Sequence, residues 1–349
     1  MKNNKTQILT VAIPTYKRPK QLEKIIRQLR EEKNQNFTLL IADDSMDKTT
    51  EEMIKPYLKS MPNLTYHKNQ QNLGYSGNVA QLYEMSTTKY IWFLCDDDTV
   101  LHGATDKIIN AINKYHFVVA VFNCSWVDPF GVKRIAGVED DIVYNNRAKL
   151  RSYNPLMRTT FLSILVVEKR LPVSDLKEKN YKDNIFFQVT LALLLLSDKF
   201  LFCEISSKIL HRNVGYKYGE FFKFYLVDHI KAISIVKNSF DYKKFIQWSI
   251  AQIPTAFQLY LSQKIGLFKY RGSPTKDTIY KIIKYYGIYS ILILFFKIFY
   301  VLIPSFFLKF SYLLLLIRIH GYKKAKLIYK YNVMRAYRDS RKTGFTAYR

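Results

Sequence analysis

Two clusters of aspartates are the residues of this sequence best suited to chemistry. The triplet Asp96–Asp98 directly follows the apolar run 91–95, and Asp43 and Asp44 end a second apolar run. Carboxylates at the edge of an apolar core are costly, because burial and mutual repulsion both oppose their ionisation. A divalent cation relieves that cost, and oxygen ligands of this kind suit Mg²⁺ or Mn²⁺ shared with a diphosphate. The alternative is a solvated acidic turn before the next helix.

The segments around these clusters alternate between strand and helix patterns. Apolar, β-rich runs cover residues 8–13, 37–42, 64–67 and 90–95. Helical spacing separates them, most clearly where Leu22 begins an apolar i, i+3, i+4, i+7 series. This alternation predicts an α/β fold with a mostly parallel sheet and helices on both faces. Ligands bind at the carboxyl ends of strands in such sheets, and both aspartate clusters lie there.

The ends of the first two predicted strands together indicate a nucleoside pocket. Thr15 and Tyr16 follow the first strand, and Asp43 and Asp44 follow the second. A carboxylate accepts hydrogen bonds from base or ribose donors, and an aromatic ring offers a surface on which a base stacks. Cys95, which borders the acidic triplet, is expected to fill space in the core.

Four motifs make the sequence similar to the family 2 glycosyltransferases of the GT-A fold. They are TVAIPTYKRP at 10–19, LLIADDSMD at 39–47, NLGYSGN at 72–78 and WFLCDDD at 92–98. Their order and spacing also match, over about residues 8–115. The first motif resembles the abequosyltransferase-like branch of bacterial enzymes that assemble surface polysaccharides. The resemblance implies a Rossmann-like GT-A domain that uses a nucleotide-diphosphate sugar, with a UDP-sugar as the expected donor.

The same resemblance implies roles for residues around the nucleobase. Pro14, Thr15 and Tyr16 line the base site, and Asp43 or Asp44 accepts a hydrogen bond from the nucleobase. The loop 72–78 is interpreted as scaffold.

Further roles follow for residues around the diphosphate. Asp96 faces the ribose or donor sugar with Asp97 beside it, and Asp98 binds Mn²⁺ or Mg²⁺. Arg18 either reaches a phosphate or is a solvated residue at a helix start. His211 either completes the metal site or has a structural role, which is the commoner one for a lone histidine.

An inverting sugar transfer also needs a base that takes a proton from the acceptor hydroxyl. By the resemblance, this base lies near the start of a helix after a variable loop, and Asp183 in the segment 181–184 has that position. The sequence departs from the family here, because Lys-Asp-Asn replaces the usual acidic pair. Asp183 is alternatively a helix N-cap, and Asp175 and Glu178 are the next candidate bases.

Positive charge is concentrated at the C-terminal end. The 349 residues contain 54 Lys+Arg and 28 Asp+Glu, a net charge of +26, and segment 264–349 alone has 18 basic and two acidic residues. This segment also contains the apolar run 288–319, and apolar and basic residues together favour an anionic membrane surface over nucleic acid. Pro304 and the basic flanks favour attachment in the interface over a crossing. A buried helical pair or an oligomer interface is the alternative.

These features together predict the organisation of the chain. The GT-A domain covers 1–215, with a nucleotide-sugar half at about 1–115 and an acceptor half at 116–215. A helical connector follows at 216–263, and helices that associate with the membrane occupy 264–349.

The expected function is inverting transfer of a sugar to a hydroxyl of a lipid-linked saccharide in bacterial surface-polysaccharide assembly. The expected place is the cytoplasmic face of the cell membrane, with peripheral or monotopic attachment. Neither a signal peptide nor a nucleic-acid partner is expected, and a homo-oligomer is left open. A catalytically silent membrane-bound scaffold and a sugar nucleotidyltransferase are the alternatives.

Overall fold

The computed structural model describes residues 7–127, 133–150, 154–172, 186–213 and 229–234, together with Tyr280. The chain divides into two compact units, and every strand named below belongs to the first. That unit comprises Met1–Asp128, Val132–Val214 and Lys231–Tyr242. Apart from residues 229–234 and Tyr280, the predicted connector and membrane-associating helices lie outside the described residues, so this organisation stays a prediction.

Ten strands form one sheet in the described part of the chain. They are β1 (Leu9–Thr15), β2 (Phe37–Asp43), β3 (Leu64–Lys68), β4 (Tyr90–Phe93), β5 (Thr99–Val100), β6 (Val119–Val127), β7 (Lys133–Ala136), β8 (Ile142–Tyr144), β9 (Leu165–Glu168) and β10 (Phe202–Arg212).

The described helices lie between and after these strands. They are α1 (Pro19–Arg30), α2 (Thr49–Ser60), α3 (Gly74–Met85), α4 (Ala104–Tyr115), α5 (Asn154–Met157), α6 (Phe187–Asp198) and α7 (His229–Ser234). Three short 3₁₀ turns accompany them at Arg147–Lys149, Arg158–Thr160 and Leu162–Ile164. Among these residues, no helix combines the length and hydropathy that a membrane crossing requires.

The order of the strands is β3-β2-β1-β4-β9-β6-β10-β5, with β7 paired to β6 and β8 paired to β10. Strands β1 to β4 are parallel, as the alternating pattern predicts. In the other half, β6 and β10 are also parallel, but the prediction is wrong for β9, β5, β7 and β8, which run antiparallel to their neighbours. Only five residues join β6 to its neighbour β7, too few for the crossover that a parallel strand needs.

Helices cover both faces of the sheet, as predicted. Because β-α-β crossovers are right-handed, the steps from β1 to β2 and from β2 to β3 place α1 and α2 on one face. The step from β3 back to β4 runs the other way and places α3 on the opposite face. The contacts agree, since α1 packs against α2, and α3 packs against β1, β2 and α6.

The apolar pattern of the sequence corresponds closely to the core. Pro19 begins α1, whose residues Leu22, Ile25, Ile26 and Leu29 are fully buried, as the helical spacing predicts. All four residues of β4 are buried, which matches the prediction of a strand covered on both faces. The buried strands hold the chain segments that follow them at defined places along one edge of the sheet.

Candidate active site

The two aspartate clusters meet at the carboxyl edge of the sheet. Strand β1 lies between β2 and β4, and Thr15 at its end is in register with Asp43 at the end of β2. Strand β4 ends at Phe93, so Asp96 follows three residues beyond it on the other side of β1. The geometry thus places both clusters beside the same strand end.

Thr15 links these clusters directly. Its Oγ1 donates a hydrogen bond to Asp96 Oδ2 at 2.7 Å, and both residues are buried. Its carbonyl oxygen accepts from the backbone amide of Asp44 at 3.0 Å and from Asn78 Nδ2 at 3.4 Å. One residue at the end of β1 therefore joins the ends of β2 and β4 to helix α3.

Asp43 and Asp44 have donors within the protein. Asp43 is fully buried, and its carboxylate accepts from the Ser45 amide at 2.9 Å and from the Tyr66 hydroxyl at 2.8 Å. Burial, followed by this hydrogen bond, raises the pKa of Tyr66. Asp44 Oδ1 accepts from Asn69 Nδ2 at 2.9 Å and from the Leu73 amide at 2.8 Å. These contacts fix the segments that follow β2 and β3 at the carboxyl edge of the sheet.

Asn69 and Asn78 are site residues that the sequence interpretation did not select. Asn69 Nδ2 donates to Asn78 Oδ1 at 3.0 Å, in addition to Asp44, and Asn78 Nδ2 donates to the Ala42 carbonyl at 2.9 Å. Asn69 Oδ1 is buried and has no hydrogen-bond partner among the described residues. Asn69 directly follows β3, so the rule that singled out the aspartates also applies to it.

The residues of the first motif occupy different environments. Pro14 is buried within β1, whereas Tyr16 is 45% exposed and its ring has the Lys17 Nζ atom 5.3 Å from its centroid. Lys17 has a φ of 54°, a left-handed conformation that turns the chain outward after β1. The accessible face of Tyr16 is compatible with the predicted stacking role.

Arg18 lies over the acidic triplet. Its NH1 atom donates to Asp96 Oδ1 at 3.0 Å and to Asp97 Oδ2 at 2.9 Å. Neither of the two expected roles, a phosphate contact or a solvated helix start, included this pairing. Its side chain is nearly half exposed, so Arg18 holds the two carboxylates together at the rim of the site.

Asp98 differs from Asp96 in its hydrogen bonding. Its Oδ1 accepts from the Asn213 amide at 3.1 Å, while its buried Oδ2 makes no hydrogen bond of normal geometry to the described residues, although the Ser163 hydroxyl lies close. Burial raises the pKa of Asp98 to about 6, and burial likewise raises the pKa of Asp96 to about 6. Asp98 is therefore a buried carboxylate whose charge the described residues compensate only in part.

Three side chains at the site offer ligand atoms suited to a divalent cation. One ligand atom each from Cys95, Asp97 and Asp98 lies within 4.8 Å of the others. The uncompensated Asp98 oxygen gives such an ion a buried anionic ligand. Cys95 is only partly buried, which corrects the expectation that it fills space in the core.

His211 does not belong to this cluster of ligand atoms. Its Nδ1 lies 3.2 Å from Ser125 Oγ on the neighbouring strand β6, and its metal role stays a prediction. The three candidate bases, Asp175, Glu178 and Asp183, lie outside the described residues.

The mixed α/β sheet with an acidic carboxyl edge resembles that of GT-A domains. Residues 10–162 match the family model of Glycosyl transferase family 2. This match covers the segment that contains the four motifs and agrees with the resemblance that they indicate.

The relatives agree with this assignment. Over 107 residues the chain is 26% identical to the Campylobacter jejuni GalNAc(5)-diNAcBac-PP-undecaprenol beta-1,3-glucosyltransferase, which covers 30% of this chain and 35% of that enzyme. The chain thus aligns with only about a third of that relative's length.

Solved structures of S. aureus TarS 1–349 share the fold. The complexes with UDP and with UDP-GlcNAc both have a TM-score of 0.57 and 14% identity, and the matches cover 98% and 97% of this chain and 93% of each TarS chain. At this identity the likeness concerns the fold.

The raised pKa of Asp98 predicts a pH-dependent stability in the presence of a chelator. A carboxyl with a folded pKa above its unfolded value stabilises the fold below the unfolded pKa, and this stability is lost as pH rises through about 6. Asp98→Asn should therefore be more stable than the wild type at pH 7.5 by about 1–3 kcal/mol, with the gain vanishing towards pH 4. Urea unfolding measures this difference.

The exposed carboxylate of Asp198 provides the matched control. Asp198→Asn should show no such gain. A wild type as stable as Asp98→Asn at pH 7.5 would contradict the unfavourable burial of the Asp98 charge.

Proposed function

We propose that this chain is an inverting, metal-dependent glycosyltransferase that transfers a sugar from a UDP-sugar to a hydroxyl of a lipid-linked saccharide. The observation that carries this proposal is the Thr15 link, because it brings the carboxylates after β2 and β4 to one edge. A nucleotide-diphosphate sugar needs both groups of carboxylates at once, those after β2 for the nucleoside and those after β4 for the diphosphate. The family 2 domain at residues 10–162 supports the same reaction class.

The nucleoside end of the donor would lie against β1 and β2. Tyr16 presents an accessible ring on which a base can stack. Pro14 and Thr15 form the floor of this pocket, and Asp43 or Asp44 accepts a hydrogen bond from the base. The TarS complexes with UDP and UDP-GlcNAc belong to a protein of the same fold, which favours a uridine donor.

The diphosphate end would lie over the acidic triplet. Asp97 and Asp98 would hold Mn²⁺ or Mg²⁺, while Asp96, fixed by Thr15 and Arg18, faces the ribose or the donor sugar. The bound cation supplies charge neutralisation to the departing diphosphate. His211 is a further ligand or diphosphate contact in this proposal, because its backbone is in register with Thr99, the residue after Asp98.

The proposed reaction also needs a general base that acts on the acceptor hydroxyl. Asp183 takes the proton from the acceptor hydroxyl as this oxygen attacks the anomeric carbon. The attack comes from the face opposite the diphosphate, whose bond to that carbon breaks. The product therefore has the inverted anomeric configuration.

Replacement of Asp98 tests the metal-dependent step. Asp98→Ala should reduce Mn²⁺-dependent hydrolysis of UDP-sugars by at least about 100-fold, because the buried ligand for the cation is lost. The release of UDP in the presence of Mn²⁺ and of a chelator measures this effect. Asp140→Ala is the matched control, since Asp140 is exposed in the loop before β8 and should keep wild-type turnover. A wild type without metal-dependent turnover would favour the silent scaffold instead.

Replacement of Asp183 tests the base. Asp183→Asn should lower transfer to a saccharide acceptor by about 100–10,000-fold while UDP binding is retained, because the amide cannot accept the proton. Calorimetric titration with UDP and Mn²⁺ separates binding from turnover. Normal transfer by this variant would reject the assignment, and NMR of a product with retained anomeric configuration would reject inversion.

The acceptor and the location are proposed together. The Campylobacter relative is named for an undecaprenol-linked saccharide, and segment 264–349 of this chain is both apolar and strongly basic. A lipid-linked acceptor at the cytoplasmic membrane face, reached through peripheral or monotopic attachment, accounts for both observations.

Removal of residues 264–349 tests the attachment. The full chain should sediment with anionic vesicles at low salt, and the truncated chain should remain in the supernatant, because most of the excess positive charge is lost. Neutral vesicles serve as the control. Undiminished sedimentation of the truncated chain would contradict the proposal.

A further inference from the structure

Cys95 is the residue at the site for which the proposed transfer gives no role. It directly precedes the acidic triplet, and its thiol is one of the three ligand atoms that lie within 4.8 Å of each other. The other two cysteines, Cys124 and Cys203, are buried in strands β6 and β10. Among the described residues, Cys95 is the one cysteine that forms such a group with carboxylates of the triplet.

Contacts from several elements hold this cluster in place. The Ser163 hydroxyl accepts from the Cys95 amide at 3.0 Å, and the Asn213 amide donates to Asp98 Oδ1 at 3.1 Å. Asn213 also donates from Nδ2 to the Asp97 carbonyl. Arg18 binds Asp97 through Oδ2. Cys95 and the two carboxylates are therefore anchored from three directions before any ion binds.

The unsatisfied oxygen of Asp98 is the independent sign of a ligand. Asp98 is 3% exposed, and its Oδ2 is buried without a hydrogen-bond partner among the described residues. A buried anionic oxygen is costly unless a cation compensates it. The neighbouring sulfur determines which cations do so best.

A sulfur with two carboxylate oxygens differs from an all-oxygen site in its choice of metal. Mg²⁺ prefers oxygen ligands in octahedral geometry, whereas Zn²⁺ and Co²⁺ bind thiolate well. In a tetrahedral zinc site, sulfur and oxygen ligands lie about 3.5 Å apart, so shifts of about 1 Å close this cluster around one ion. A bound ion of this kind also deprotonates the thiol, whose proton passes to solvent.

We propose that Cys95 is a third protein ligand at the cation site, and that it makes this site selective for thiophilic divalent ions such as Zn²⁺ and Co²⁺ over Mg²⁺. The inference rests on the proposed function only in that both concern the same cation site. It adds a ligand, and a metal preference, that an aspartate triplet alone does not provide.

Cobalt titration of the metal-free full-length chain tests this inference. The wild type should show a thiolate-to-cobalt charge-transfer band that saturates at one equivalent of Co²⁺. Cys95→Ser should lose the band, because a hydroxyl replaces the sulfur at nearly the same volume. Cys203→Ala is the matched control and should keep the band, since Cys203 is fully buried in β10. Zinc affinity should fall by at least about tenfold in Cys95→Ser, and magnesium affinity by less.

A wild type without the charge-transfer band, or a band that persists in Cys95→Ser, overturns the inference. If Cys95→Ser does not fold, Asp98→Asn decides, because it keeps the sulfur but should weaken cobalt affinity by at least about tenfold. An unchanged affinity in Asp98→Asn also overturns it.

The proposed function is judged separately, by turnover. A cobalt–thiolate band without UDP release supports the inference and contradicts the proposed function. Mn²⁺-dependent UDP release without the band supports the proposed function and contradicts the inference.

Discussion

The hydrogen bond from Thr15 to Asp96 is the interaction on which the candidate site depends. It crosses from the end of β1 to the segment after β4, while the Thr15 carbonyl holds the segment after β2. The strand pairing already sets β2 and β4 on either side of β1, and this link adds a direct contact between the segments that follow them. A ligand with a nucleoside at one end and a diphosphate at the other needs the distance between these segments to be constant.

Hydrogen bonding divides the two buried aspartates of the triplet into different roles. Asp96 and Asp98 are almost equally buried, and burial raises the pKa of each to about 6. Asp96 receives donors from Thr15 and Arg18, so its charge is compensated within the protein. Asp98 has one backbone donor, and its buried Oδ2 has no hydrogen-bond partner of normal geometry among the described residues, although the Ser163 hydroxyl lies close. A cation-binding site is expected to retain one such carboxylate, because full compensation would leave little affinity for the ion.

The sequence predicted the donor half of the fold well and the remainder less well. The strands β1 to β4, the buried face of α1 and the meeting of the aspartate clusters all follow from local apolar patterns and the rule for parallel sheets. The reversal of β9 between β4 and β6 does not, because its short apolar run contains no information on direction. The pairing of Arg18 with Asp96 and Asp97 joins residues nearly eighty positions apart. The sequence analysis predicted only a phosphate contact or a solvated position for Arg18.

The sequence by itself determined which residues end the strands of the parallel half, and therefore that Asp43, Asp44 and the triplet lie at one edge. This is so because hydrophobic periodicity is local and each apolar strand places the residue after it at the carboxyl end. Only the tertiary structure decided which oxygens have donors, that Asn69 joins the polar network, and that the Cys95 sulfur lies with two carboxylates. These properties depend on distances and burial between segments far apart in the chain, which no local pattern contains.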